Sequence, residues 1–237
     1  MALHLYYHPF SSFCQKVLIA LYERELEYTP HLVNLIDERE KAELASLWPF
    51  AKFPVLADTT AGATVPESSS IIEHLDTLPA SGAKLIPDAP QYAASVRQWD
   101  RIIDTYLHVP MQKIVGDRLR PEGSRDPFGV EEARQTLATA YRFMEQRLPD
   151  QGWLGGGMFC MADCAAAPPL FYLSRVAPFA DRHPRLQRYF LRLMERPSFQ
   201  RCIEGAREYR DFFPAAEGDA GWSDKAAASE DGARLSF

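Results

Sequence analysis

The chain changes periodicity once, and that change limits its architecture more than any single motif does. Up to residue 78, short β-prone runs alternate with stretches of helical spacing. Leu3-His4-Leu5-Tyr6-Tyr7 reads as a strand, Pro9 and two serines break it, and Cys14, Val17, Leu18 and Leu21 then recur on one helical face. Glu27 to Val33 reads as a second strand, and Asp37 to Leu47 as a helix opened by an acidic cap. Phe53 to Ala57, a Gly62 turn and Ala63 to Val65 predict a hairpin, and Glu67 to Leu78 a helix with Ile71, Ile72 and Leu75 on one side. The predicted order is βαβαββα.

A stretch rich in Pro, Gly and small residues, from Pro79 to Pro90, interrupts the pattern as a linker does. Beyond it only helical spacing recurs, over 91–117 with a kink expected at Pro110, then 129–148, 161–176, 184–195 and 197–209. Pro168-Pro169 should bend the 161–176 helix. The domains predicted are therefore an α/β unit over 1–80, a linker over 81–90 and an all-helical unit over 91–213. Residues 214–237 are rich in Ala, Gly, Asp and Ser and read as a mobile tail or flap, anchored by little besides Trp222, Leu235 and Phe237.

With 237 residues, 46% of them hydrophobic, the chain can bury a sizeable core. Its net charge of −6 offers no basic field for nucleic acid or anionic lipid, so an anionic small ligand needs a local site. The first residues lack a secretory pattern, and no apolar run reaches the about 20 residues that span a bilayer. A cytoplasmic protein is expected. Cysteines 14, 160, 164 and 202 show no C-x-x-C spacing and read as reduced, buried residues; Cys160 and Cys164 lie one turn apart but lack neighbours to complete a metal site, so no metal is expected.

Three motifs recur in order across the first unit. Ser11-Ser12-Phe13-Cys14-Gln15-Lys16-Val17 resembles the start of the first helix in serine-type glutathione S-transferases and is close to the S-S-C-S-x-[RK]-V run of the zeta class. Pro49-Phe50-Ala51-Lys52-Phe53-Pro54-Val55-Leu56 resembles that family's N-P-x-G-K-V-P-x-L element, and Glu67-Ser68-Ser69-Ser70-Ile71-Ile72 its E-S-x-A-I-x-x-Y-L element. In the second unit Phe159-Cys160-Met161-Ala162-Asp163 is similar to the F-[ST]-x-A-D helix start, so the likeness spans about residues 3 to 210. Ser12, Ala51 and Cys160 depart from the usual Pro, Gly and Ser or Thr. Because a thiol is a poor acceptor, Asp163 should carry most of the cap at Cys160.

The resemblance implies a thioredoxin-like first domain that binds glutathione as co-substrate, and a helical second domain that holds an apolar electrophile. Phe53, ahead of an expected cis Pro54, would offer its backbone to the cysteinyl unit as a sheet edge does. Glu67 would accept from the ligand's ammonium, and Ser68 with the helix N-terminus would receive a carboxylate; the same two residues can also serve as a simple cap. Lys52, and less directly Lys41, would face the glycyl carboxylate. Positions such as Tyr106, His108, Met111 and Gln112 would meet the electrophile, with Arg118 and Arg120 at the rim.

Either Ser11 or Cys14 could carry the chemistry. Ser11 stands at the helix entrance, where a hydroxyl and the helix dipole act on one point, whereas Cys14 is in register with the core. Ser11 is therefore the expected thiolate stabiliser, with Ser12 as the substitute if the helix begins one residue later, and Tyr6 or Tyr7 as remaining hydroxyls. The resemblance also implies a homodimer, with Ile72, Asp76, Trp99 and Asp100 near its interface. Conjugation is the expected reaction. Glutathione-dependent isomerisation, thiol transfer, or a non-catalytic binding or regulatory role on the same fold are the alternatives.

Overall fold

In the computed structural model, which describes residues 2–214, the strand β1 (Leu3–Tyr7) leads into α1 (Ser12–Glu23), β2 (Thr29–Leu32) and α2 (Glu38–Leu47). A hairpin of β3 (Val55–Asp58) and β4 (Ala63–Pro66) then leads into α3 (Ser68–Thr77). The remainder is α4 (Pro90–Ile103), α5 (Val109–Arg118), α6 (Pro127–Arg147), α7 (Met161–Val176), α8 (Pro184–Met194) and α9 (Pro197–Gly205), with no strand among the described residues after β4. The fold is thus the thioredoxin-like βαβαββα unit followed by helices. The tail or flap expected beyond Pro214 lies outside the described residues.

The sheet runs β2-β1-β3-β4, with β1 parallel to β2 and antiparallel to β3. Alternation along β1 sends Leu3 and Leu5 into the main core with Leu18, Leu21 and Ile71, while Tyr6 joins Val33, Leu44 and Val55 on the opposite face, beneath α2. The α2 helix opens on Asp37, whose carboxylate accepts from the Arg39 and Glu40 N–H groups.

Where a kink was expected at Pro110, the helical ladder changes one turn earlier. Residues 104–108 form a π-helical turn between α4 and α5, in which the Val109 N–H reaches back to the Asp104 carbonyl. Proline has no N–H for the carbonyl four residues before it and its ring crowds that turn, so the ladder widens ahead of Pro110.

The segment between α3 and α4 is tied down rather than loose. Asp76 accepts from the Leu85 N–H at 3.0 Å and the Ile86 N–H at 2.7 Å, while Arg24 donates to the carbonyls of Leu78 and Gly82. The proposed interface positions need correcting for the same reason. Asp76 is committed to this segment, Ile72 and Asp100 are fully buried, and Trp99 packs on Phe143 inside the helical unit. Helical spacing alone does not distinguish a residue facing another subunit from one facing its own core.

In α7, Cys160 occupies the cap and Asp163 does the capping. The Asp163 carboxylate accepts from the N–H groups of Leu154 and Cys160, from the Tyr189 hydroxyl at 2.6 Å and from the Cys160 thiol, so sulfur serves as a donor. Pro168 and Pro169 lie inside this helix, which is buried from Met161 to Leu173.

Every residue from Cys14 to Leu21 is buried, because α1 packs against α3, α7 and α9 and shares its core cluster with Leu3 and Leu5 of β1. Lys16 therefore has no route to water. Its ammonium lies 2.7 Å from Asp100 Oδ1 and 2.7 Å from Asp104 Oδ2 and donates to Ser69 Oγ at 2.9 Å. Ser69 in turn donates to Asp100 at 2.7 Å.

This cluster generates a pH prediction. Desolvation alone would raise the Asp104 carboxyl, but the His108 hydrogen bond and the Lys16 charge outweigh it and hold it down at about 2. Its contribution to stability is full above the ordinary carboxylate value of 3.8 and is lost as the pH falls toward about 2. Urea unfolding should show that loss across this window, and Asp104→Asn should flatten it; an unaltered slope contradicts the assignment. Lys16→Met, which leaves buried carboxylates without their cation, should cost roughly 3–5 kcal/mol in the same assay.

Candidate active site

The turn between β1 and α1 delivers Ser11 to a cavity of about 330 Å³. Ser11 is the N-cap of α1, with extended backbone, and its Oγ accepts from the Cys14 N–H at 3.4 Å. A cap uses an oxygen lone pair, so the hydroxyl hydrogen stays available to donate. Ser12 is the first residue of the helix, is buried and does not line the cavity; the later start that would have brought it forward does not occur. Cys14 is fully buried one turn inside, where desolvation pushes its thiol up to about 12. A thiol so held is protonated at neutral pH and inert as a nucleophile.

Lys52, Phe53, Pro54, Glu67 and Ser68 line the same cavity, so the structure brings these predicted residues together with Ser11. The Phe53–Pro54 bond is cis. Neither the N–H nor the C=O of Phe53 is hydrogen-bonded among the described residues. Glu67 has φ of 69°, a left-handed conformation that costs a non-glycine residue on the order of 1–3 kcal/mol and recurs at binding sites. Its side chain makes no cap bond to α3, and the residue lines the cavity. Ala51 also has a positive φ, 47°, which is why glycine suits its place in the resembled motif. Lys41 is paired with Glu38 on the exposed face of α2, outside the lining.

The rest of the wall is Phe13, Leu35, Trp48 and Gln112. Gln112 was expected; the other three were missed. Their signal in the sequence was slight: an aromatic in the first turn of a helix, and large apolar residues flanking a charged helix with no core periodicity to explain them. His108 stands behind the wall. It is fully buried, stacks on Phe13 at 3.9 Å, and burial lowers its pKa against the opposing pull of Asp104.

Other candidates lie elsewhere. Tyr106 is half exposed on the π-helical turn and Met111 is buried in the core, and neither lines the cavity. Arg118 donates to the Pro214 carbonyl and Arg120 lies 3.9 Å from Asp117. Tyr6 stacks on His31, and Tyr7 packs against the main core, where burial raises its pKa. Among the described residues no group of three His, Cys, Asp or Glu side chains is placed to hold a metal.

Chemically the cavity offers a carboxylate, an ammonium, two hydroxyls and one backbone edge, with an apolar flank. Such a set can pair with both charges and the backbone of an extended, zwitterionic peptide.

Comparisons with known proteins converge on one family. The model described as "Glutathione S-transferase, N-terminal domain" matches residues 5–82, and that described as "Glutathione S-transferase, C-terminal domain" matches residues 127–192. A glutathione S-transferase of Nicotiana tabacum is 25% identical over 211 residues, covering 86% of this chain and 98% of its own. A crystal structure of a glutathione S-transferase from Methylobacillus flagellatus with glutathione bound is 28% identical, with a TM-score of 0.77 over 84% of this chain and 98% of that one. One from Methylobacterium radiotolerans, in complex with glutathione sulfonate, is 27% identical with a TM-score of 0.74 over 86% and 95%. With both halves of the chain matched and the site residues gathered in one cavity, this protein belongs to the glutathione S-transferase family.

Proposed function

We propose that the protein joins the thiolate of glutathione to an electrophilic, moderately apolar small molecule, with Ser11 stabilising the thiolate. The observation that carries this reading is the convergence of Ser11, Phe53, Glu67 and Ser68 on one cavity whose flank is apolar. Glutathione binding by two structural relatives at 27–28% identity supports the identity of the peptide.

A free thiol with pKa near about 8.5 is only a few per cent ionised at neutral pH, and lowering it by about two units requires about 2.7 kcal/mol of preference for the anion. A hydroxyl donating to a charged acceptor supplies roughly 1.5–3 kcal/mol and the helix N-terminus about 0.3–1. Together these suffice without a metal. Glu67 takes the ligand ammonium, Ser68 and the α3 N-terminus take the adjacent carboxylate, and Lys52 takes the glycyl carboxylate. Phe13, Leu35 and Trp48 face the electrophile. The free, buried cysteines fit the cytoplasmic setting expected of the sequence.

Isomerisation and thiol transfer share the same thiolate. A binding or regulatory protein would keep the peptide site without turnover, and retention on immobilised glutathione with no conversion of a general electrophile would establish that reading instead.

We also infer a homodimer, through the outer faces of α3 and α4. Glu73 and Arg97 pair across these helices on the surface, and Tyr92, in the first turn of α4, is 60% exposed.

Three outcomes follow. Ser11→Ala should raise the pKa of bound glutathione and cut conjugation at neutral pH by tenfold or more, roughly, with partial recovery at higher pH, while Cys14→Ser changes neither. A pH-rate profile decides this; loss of activity in folded Cys14→Ser but not in Ser11→Ala would reverse the assignment. In titration calorimetry, Glu67→Ala and Ser68→Ala should each weaken glutathione binding by about 1.5–3 kcal/mol. Unchanged affinity in both moves the peptide elsewhere. Sedimentation at micromolar concentration should give a dimer, and a monomer there contradicts the assembly.

A further inference from the structure

The turn that carries Ser11 has almost no regular backbone pairing of its own. It consists of His8, Pro9, Phe10 and Ser11, and each of its carbonyls is nevertheless occupied. The His8 carbonyl accepts from the Ser11 N–H at 3.0 Å and the Ser11 carbonyl from the Gln15 N–H at 2.9 Å. The two between them are held by side chains. Gln15 Nε2 donates to the Pro9 carbonyl at 2.9 Å, and the Tyr172 hydroxyl donates to the Phe10 carbonyl at 2.8 Å. Gln15 Nε2 also lies 3.3 Å from the Tyr172 oxygen, which joins the two donors into one buried network.

Tyr172 comes from α7, in the helical half of the chain, 161 residues after Ser11 in a fold where Ser11 belongs to the first half. It is 4% exposed, and its ring meets Phe10 edge-on at 5.6 Å. The Phe10 carbonyl is only partly buried, and a carbonyl deprived of its donor moves to find another, so the geometry of this turn depends on the tyrosine hydroxyl. Neither Tyr172 nor Gln15 lines the cavity. Whatever they contribute must pass through the turn.

We propose that Tyr172, with Gln15, is a positioning residue: it fixes the Pro9–Phe10 backbone from beneath so that the Ser11 hydroxyl is aimed at the glutathione sulfur. A hydrogen bond to an anion weakens steeply with misalignment, and a displacement on the order of 1 Å away from a reacting group can cost about 10²-fold. The helical half, which lends Gln112 to the cavity wall, therefore contributes to thiolate stabilisation as well. This inference rests on the assignment of Ser11 given above.

The test is a double-mutant cycle of Ser11→Ala and Tyr172→Phe, read as the pKa of bound glutathione from its ultraviolet thiolate absorbance, with kcat/KM and glutathione affinity measured alongside. Tyr172→Phe should raise the bound-thiol pKa by about 0.5 to 1 unit and lower kcat/KM at neutral pH about three- to tenfold, with glutathione affinity changed less than about twofold. In the Ser11→Ala background the same substitution should leave that pKa where Ser11→Ala alone puts it. If both single variants shift the pKa and the shifts add, or if only Ser11→Ala shifts it, Tyr172 does not act through Ser11 and the proposal is overturned. If Ser11→Ala shifts nothing, the assignment of Ser11 itself fails, and the positioning role falls with it for that separate reason. Should Tyr172→Phe not fold, Gln15→Met removes the neighbouring contact and is read in the same cycle.

Discussion

A lysine ammonium with no access to water is the constraint around which this molecule is arranged. Burying Lys16 is tolerable only where acceptors surround it, and here Asp100, Asp104 and Ser69 do so at 2.7 to 2.9 Å. Ser69 belongs to α3, Asp100 to α4 and Asp104 to the π-helical turn that follows, so one charge draws three elements from both halves onto α1. The same helix begins at the cap that faces the cavity. Fixing α1 between the halves consequently fixes the relation between Ser11 on one wall and Gln112 on the other.

From that arrangement the division of labour follows. The segment leading into β3 and the start of α3 supply the polar features of the cavity: an unpaired backbone edge at Phe53, Glu67 with its positive φ, and a hydroxyl at Ser68. Phe13, Leu35 and Trp48 supply the apolar flank. The His108 ring, neutral through burial and stacked on Phe13, backs that flank and links it to Asp104 and so to the lysine cluster. Site and domain junction thus share one helix, α1, which carries both the Ser11 cap and the Lys16 ammonium.

Much of this was legible in the sequence because local rules and tertiary demands agree. The alternation in β1, the acidic cap at Asp37 and the Glu67-Ser68 helix start all follow from period and capping chemistry, and each stands within a residue or two of its expected place. Misreadings fell where a residue's role is decided by distant partners. Asp100, expected near a subunit interface, instead lies fully buried against Lys16, a partner that comes from the other half of the chain. Met111 occupies helical spacing that suits a core as well as a cavity, and Tyr106 sits on a π-helical turn whose rotation the spacing of residues does not disclose. Leu35 and Trp48 could not be found from periodicity, since they flank α2 outside its helical repeat, and Trp48 also packs against the small core beneath that helix.

The central claim is that a capping hydroxyl, rather than a cysteine, receives the thiol of glutathione in this cavity. A crystal structure of the protein with glutathione bound tests it most directly. The account predicts the ligand sulfur within hydrogen-bond distance of Ser11 Oγ, the cysteinyl backbone paired with Phe53, and the γ-glutamyl end at Glu67 and Ser68. Glutathione bound elsewhere, or in this cavity with its sulfur turned away from Ser11, would contradict it.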